Sequence, residues 1–252
     1  MQVSRDHPRY RSLVTREMMS EMVERGVVAP AGLIAHGRGE AFDYLLGEAT
    51  SESARRAEEA AVALLLEARS PVISVNGNTA ALAGKEIITL SEMVKAKIEV
   101  NLFHRSPERM ETVIGFLESM GAENVLGRFS DATIPGIASE RAKCSREGIY
   151  SADVVLVPLE DGDRAGALAD LGKKVIAIDL NPLSRTARVA QITIVDEVTR
   201  SIANMIEMVP GLLTDDAHRL KALDSFDNQS NLKRSLELIC SRLAELAKEG
   251  KP

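Results

Sequence analysis

The chain is short of the residues and patterns that mark several common classes of protein. Cysteine occurs only as Cys144 and Cys240, too few for a disulfide framework and too far apart for a CxxC site. The histidines His7, His36, His104 and His218 form no HExxH or other metal-ligand spacing, so no resident metal site is expected. No apolar run approaches the roughly 20 residues needed to span a bilayer. Met1 to Tyr10 is charged and lacks the apolar stretch of a secretory signal, so the expected location is cytoplasmic. Familiar glycine loops are missing as well. GxxxxGK[ST] is absent, since Gly84-Lys85 has neither the upstream glycine nor the following hydroxyl, and GxGxxG and GxSxG do not occur. Ordinary dinucleotide binding and a hydrolase nucleophile elbow therefore have no support.

What is present fits an ordinary soluble globular protein. A length of 252 residues suits one large domain with attached helices, and 45% hydrophobic with 27% charged residues is an ordinary globular balance. The 31 basic residues are outnumbered by 37 acidic ones, a net charge of −6. That argues against general nucleic-acid binding but leaves room for a local basic pocket.

Hydrophobic periodicity divides the chain into a helical N-terminal part (1–70), an α/β core (71–210) and a C-terminal helical tail (211–252), expected to share one compact domain. Strands are expected at Pro71–Val75, Ile98–Phe103, Asp153–Val157, Lys174–Asp179 and Ile192–Val195. Val154–Val157 and Val175–Ile178 are continuously apolar, as in strands covered on both faces. Alternating strands and helices predict a Rossmann-like, doubly wound, mainly parallel sheet with helices on both faces. Ser106 and Pro107 mark a helix start, and Gly121 stands where a helix should end. The N-terminal part reads as helices over Tyr10–Gly26 and Gly39–Arg69. The last helix, from about Asn231 to Glu249, carries Leu232, Leu236, Ile239, Leu243 and Leu246. That stripe suits either docking on the core or a dimer seam.

In such sheets ligands sit beyond the carboxyl ends of the strands. Four groups of residues there suit phosphorylated ligands. In His36-Gly-Arg-Gly-Glu40, after the small-residue loop Ala29–Gly32, glycines allow close approach and Arg38 can pair with phosphate; a helix cap beside a solvated arginine is the plainer reading. Asn76-Gly-Asn-Thr79 is a polar ligand site or an ordinary strand-to-helix turn. Asp179-Leu-Asn-Pro-Leu-Ser-Arg-Thr186 offers an acid for ribose or Mg²⁺, Asn181 for an adenine edge, and Arg185 with Thr186 for phosphate oxygens; it also reads as a polar turn around Pro182. Arg105 is a further cation at a strand end, and Asp196-Glu197-Val198 follows another strand.

The stretches His7–Arg16, His36–Glu48, Pro71–Asn78, Asn101–Arg105 and Asp179–Thr186 resemble the archaeal phosphopantothenate synthetases, also called 4-phosphopantoate–β-alanine ligases. The similarity runs from about His7 to Pro210 with order and spacing kept. The resemblance implies a homodimeric enzyme using ATP and Mg²⁺ and releasing AMP and pyrophosphate through an acyl-adenylate. It implies ATP contacts at Arg16, Arg38, Asp179, Leu180, Asn181, Arg185, Thr186, Glu197 and Val198. Asn76, Asn78 and Arg105 are assigned to phosphopantoate, and Glu40 is the candidate base for β-alanine. Three rival readings remain: a nicotinamide oxidoreductase, for which no glycine fingerprint exists, a phosphotransferase, and a non-catalytic nucleotide sensor.

Overall fold

Five short apolar segments pair side by side because each buries both faces. They are β1 (Pro71–Val75), β2 (Lys97–Val100), β5 (Val154–Pro158), β6 (Lys174–Ile178) and β7 (Ile192–Ile194), and they form one parallel sheet in the order β2-β1-β5-β6-β7. The computed structural model describes residues 4–7 and 9–249. Pro8 of the first family stretch and the outer ends of the terminal parts, Met1–Val3 and Gly250–Pro252, lie outside the described residues. Registration places Ile98, Ile73, Leu156, Ile176 and Ile192 in one row across the sheet. These residues face one hydrophobic cluster, while Val72, Val155 and Val175 face a second on the opposite side. That two-sided burial is why these strands read as unbroken apolar runs.

The first cluster runs from Met19 in α1 (Tyr10–Glu24) through α3 (Glu52–Glu67) and α4 (Gly77–Met93) to Leu212 in α8 (Val198–Thr214). The N-terminal helices therefore belong to the same core as the sheet. The remaining helices are α2 (Pro30–Leu46), α5 (Pro107–Ser119), α6 (Gly162–Asp170), α7 (Arg185–Val189), α9 (Asp216–Asp224) and α10 (Asn228–Glu249). A small antiparallel pair, β3 (Ala132–Thr133) with β4 (Lys143–Cys144), was not foreseen.

The start of α5 follows the sequence signals: Ser106 accepts a hydrogen bond from the Arg109 amide and Pro107 occupies the first helical position. Three expectations are corrected. The strand expected over Ile98–Phe103 is shorter, Lys97–Val100: the Asn101 N–H still donates to the Val75 carbonyl, its side chain turns to the carbonyls of Arg141 and Lys143, and the pairing ends there. The single helix expected over Gly39–Arg69 is two helices, broken where Gly47 and Glu48 take φ of 98° and 54° and Ser51 caps α3. The loop expected at Ala29–Gly32 is the first turn of α2, which opens on Pro30. His36 to Glu40 therefore lie within a helix.

The last helix docks on the core through its first turns. Asn228 bridges the Thr193 amide and the carbonyls of Ala187 and Ala190, while Asn231 and Leu232 are buried. Its far half leaves Leu243 46% exposed. No helix among the described residues is long and apolar enough to cross a membrane.

Candidate active site

The chain runs outward from β1 to β2 in one direction and from β5 through β6 to β7 in the other. The reversal between β1 and β5 is the topological switch point at which such sheets open a crevice. A cleft of about 790 Å³ lies there, roofed by α1 and α2 and floored by the turns after all five strands. It takes in Arg38, Glu40, Asn76, Asn78, Asp179, Leu180, Asn181, Arg185, Thr186, Glu197 and Val198. Arg16 and Arg105 are not among the residues that line it.

On α2, Arg38 is exposed to the cleft, and its charge works on Asp179 across it. Two residues on, Glu40 is enclosed by donors. Arg16 reaches it at 2.6 Å and Tyr44 at 2.9 Å, and the Ser12 hydroxyl makes a third hydrogen bond. Burial pushes the Glu40 carboxyl up, but these three donors outweigh it and hold it below the usual carboxylate range. A carboxylate so held is a poor proton acceptor and a good clamp, which favours an anchor for Arg16 over the base role expected from the sequence.

The turn after β6 is stiffened by its own side chains. Asp179 accepts from the Asn181 amide at 2.9 Å and the Ser184 hydroxyl at 2.5 Å. Burial raises its pKa, and those bonds with the Arg38 charge oppose the rise. Asn181 accepts from the Leu183 amide at 2.9 Å and keeps its own amide group for the cleft. Leu180 is 8% exposed and packs beside Leu46, Val195 and Leu232, so its backbone is what it offers a ligand. Arg185 pairs with Asp163 at 2.6 Å with both side chains mostly exposed, a tie weak enough to yield to a phosphate. The Thr186 hydroxyl donates to the Glu160 carbonyl at 2.9 Å, which fastens this turn to the one after β5. Glu197 caps α8 through the amides of Thr199 and Arg200, and the Val198 side chain is buried where this turn lines the cleft.

The three residues assigned to substrate from the sequence, Asn76, Asn78 and Arg105, all make hydrogen bonds within the protein. Asn76 has no spare hydrogen bonds: its oxygen accepts from the Thr79 amide and hydroxyl, and its nitrogen donates to the carbonyls of Pro158 and Leu159. It is the joint between β1, α4 and the turn after β5, where Leu159 takes a φ of 55°. Asn78 donates to the Gly32 carbonyl at 2.8 Å and ties α4 to α2. Between them, Gly77 is required, because a Cβ there would lie 2.1 Å from the Val27 carbonyl oxygen. Arg105 turns away from the cleft to the Gly127 carbonyl, at 2.7 Å.

Several cleft residues escaped sequence reasoning. Arg141 reaches Glu160 at 2.8 Å and Asp161 at 3.1 Å, and Arg164 pairs with Glu160 beneath them. Arg200 pairs with Asp43 and Asp196. These partners are far apart along the chain or hidden within helices, so no local signal marks them. Arg109 was reachable: it sits in the first turn of α5, three residues past the plain cap Ser106.

The fold and the cleft are those of an α/β protein built to hold phosphorylated ligands at a switch point. Within that class, the chain belongs to the phosphopantothenate/pantothenate synthetase family, whose sequence model matches residues 53–242. It is 58% identical over 241 residues to the 4-phosphopantoate–β-alanine ligase of Methanospirillum hungatei, covering 96% of this chain and 98% of that protein. The enzyme of the same name from Thermococcus kodakarensis is 50% identical over 250 residues, with 98% and 96% covered. That of Methanosarcina mazei is 48% identical over 248 residues, with 98% of each covered.

Proposed function

We propose that the chain is an ATP-dependent ligase that condenses (R)-4-phosphopantoate with β-alanine to 4′-phosphopantothenate on the route to coenzyme A, releasing AMP and pyrophosphate. The observation that carries this reading is the near full-length similarity to ligases of that name, 58% in one case. The cleft supports it chemically. The acid's carboxylate attacks the α-phosphorus of ATP and pyrophosphate leaves, giving an acyl-adenylate. Anion meets anion in that step, so Arg38 and Arg185 supply opposing charge, with Arg16 held behind the cleft wall by Glu40. The turns after β6 and β7 hold adenosine by Asp179, Asn181 and backbone groups at Leu180, Glu197 and Val198, with Thr186 beside the phosphates. Positioning of this kind supplies much of the acceleration.

The amine of β-alanine then attacks the acyl carbon, loses a proton and expels AMP. The amine must be neutral to attack, which a cleft short of water favours. Mg²⁺ enters with ATP in this reading. Among the described residues no group of three His, Cys, Asp or Glu stands ready for a metal. The cleft acids Asp43, Asp161, Glu40 and Glu197 are already engaged. Asp179 too is engaged, by the Asn181 amide and the Ser184 hydroxyl, so the donor set fits an ion carried mainly by phosphate oxygens. A cytoplasmic homodimer completes the proposal, with Ile34, Leu183 and Leu243 as exposed apolar residues outside the core.

The test is to incubate the purified protein with MgATP, β-alanine and 4-phosphopantoate and separate the nucleotide products. AMP and pyrophosphate that appear only with both substrates support the ligase, and Arg38→Ala should then abolish most of the turnover. ADP would instead indicate a phosphotransferase, and ATP binding without turnover a sensor.

A further inference from the structure

The arginines that face the cleft differ in whether they already have a carboxylate. Arg141 is paired with Glu160 and Asp161, Arg200 with Asp43 and Asp196, and Arg185 with Asp163. Among the described residues, Arg11, Arg38 and Arg109 line the cleft with no carboxylate in ion-pair reach, and of the three Arg109 alone is partly buried. Its guanidinium is fixed by backbone: Nη1 donates to the His104 carbonyl at 2.8 Å and Nη2 to the Val27 carbonyl at 3.3 Å. Two of its five N–H groups are thus spent on orientation and three remain. Burial with no acid nearby depresses its pKa, so the free protein holds a partly desolvated cation that an anion would relieve.

We infer that Arg109 receives the 4-phosphate of the acid substrate, at the β2 end of the cleft. The inference rests on the ligase reading above and adds the polarity with which the acid lies. Both substrates bring phosphate, so the cleft must separate them. The nucleotide groups belong to the turns after β6 and β7, with Arg38 acting on Asp179 from above. Arg109 follows β2, three strand positions from β6, or roughly 14 Å at ordinary strand spacing. An acid whose phosphate lies on Arg109 points its carboxylate back along the sheet edge towards the nucleotide and keeps its own phosphate clear of the polyphosphate. The two methyl groups on its quaternary carbon then meet the apolar wall of Leu82, Leu102 and Phe103, which also line the cleft. Gly77 has no side chain to block the way, since a Cβ there would stand 3.5 Å from Arg109 Nη2.

The test compares wild type, Arg109→Ala, Arg109→Gln and Arg109→Lys, measuring KM for ATP, β-alanine and 4-phosphopantoate, and turnover of unphosphorylated pantoate. In Arg109→Ala the KM for 4-phosphopantoate should rise about thirtyfold, as expected for loss of a charge-assisted pair. The KM for ATP should stay within about twofold, the preference for 4-phosphopantoate over pantoate should fall in step, and lysine should restore part of it. Glutamine keeps donors for the two carbonyls without the charge, so it tests the same ratio if alanine does not fold. In wild type, inorganic phosphate should inhibit competitively against 4-phosphopantoate. An unchanged preference over pantoate in the variants, a rise in the ATP KM as large as that for the acid, or phosphate competing with ATP alone would each overturn the inference. Wild type that forms no AMP from 4-phosphopantoate would sink the ligase reading itself, a result distinct from all of these.

Discussion

Arg200 in α8 grips Asp43 in α2 with two hydrogen bonds, Nη1 to Oδ2 at 3.1 Å and Nη2 to Oδ1 at 2.5 Å, although 157 residues separate them. The same guanidinium reaches Asp196 through Nε at 3.0 Å. Burial works against its charge, and the two aspartates more than restore it, so its pKa is raised. This clamp joins the helix that carries Arg38 to the start of α8, and both line the cleft. Asp43→Asn keeps the shape and removes half the charge complement. Because the pair is mostly but not wholly buried, the expected loss is about 2 kcal/mol of stability. The KM for ATP should rise about tenfold, at 1.4 kcal/mol per decade. Thermal unfolding and steady-state kinetics check both, and an unchanged KM would refute the clamp's role in the cleft.

Behind the clamp the network continues inward. Asp196 accepts from Thr50 at 2.6 Å, Asn204 donates to Thr50 at 3.0 Å, and Asn204 also donates to Glu58 at 3.0 Å. Glu58 is fully buried, and burial foremost, with Asp196 adding repulsion, raises its pKa to about 8. The folded protein therefore holds a proton on Glu58 that the unfolded chain gives up above about 4.5. Stability from this group is full below about 4.5 and falls by roughly 1.4 kcal/mol per pH unit until about 8, where the loss levels off. Glu58→Gln should remove that slope and leave the variant more stable than wild type at pH 8.5. Denaturant midpoints for both proteins at pH 6 and 8.5 decide it, and parallel pH profiles would show that Glu58 does not titrate there.

Much of the sheet is legible because burial on both faces writes itself into unbroken apolar runs such as Val154–Val157 and Val175–Ile178. The start of α5 is legible because Ser106 and Pro107 act locally. What lies beyond local chemistry is not. Asn101 ends the β2 pairing, and its side chain is spent on the carbonyls of Arg141 and Lys143, which no local pattern foretells. His36–Glu40 looks like a loop because two glycines interrupt it, yet Pro30 starts the helix upstream and packing carries it through. Asn76 looks like a ligand group because its type and place are right, but all its hydrogen bonds go to the protein. The sequence places the cleft edge correctly; which polar groups there remain free depends on pairings between distant segments.

Glu40 separates anchoring from proton transfer. Its depressed pKa means that the tie to Arg16 is complete above the ordinary carboxylate range and is lost only as pH falls through its folded value. Glu40→Gln should lower kcat by less than about tenfold and raise the KM for ATP, as Arg16 loosens. A true general base would cost 10²–10⁴-fold in kcat. A hundredfold fall in kcat with an unchanged ATP KM would restore the base assignment.

Asn76 is the last position where structure and substrate roles part. Asn76→Ala removes the cap of α4, worth about 1 kcal/mol, and leaves the Pro158 and Leu159 carbonyls without their shared donor. Leu159 sits in the left-handed region, which costs a non-glycine residue of order 1 kcal/mol and persists only where neighbours enforce it. The expected loss is therefore about 2–3 kcal/mol in unfolding free energy. Asn76→Asp refines the point. The carboxylate still caps the helix, so that part is kept, but it cannot donate and its charge faces two carbonyl oxygens. Its stability should fall between wild type and alanine at neutral pH and recover towards wild type as acid protonates it. A residue that served only to bind substrate would show the reverse, a raised KM with the unfolding transition unmoved.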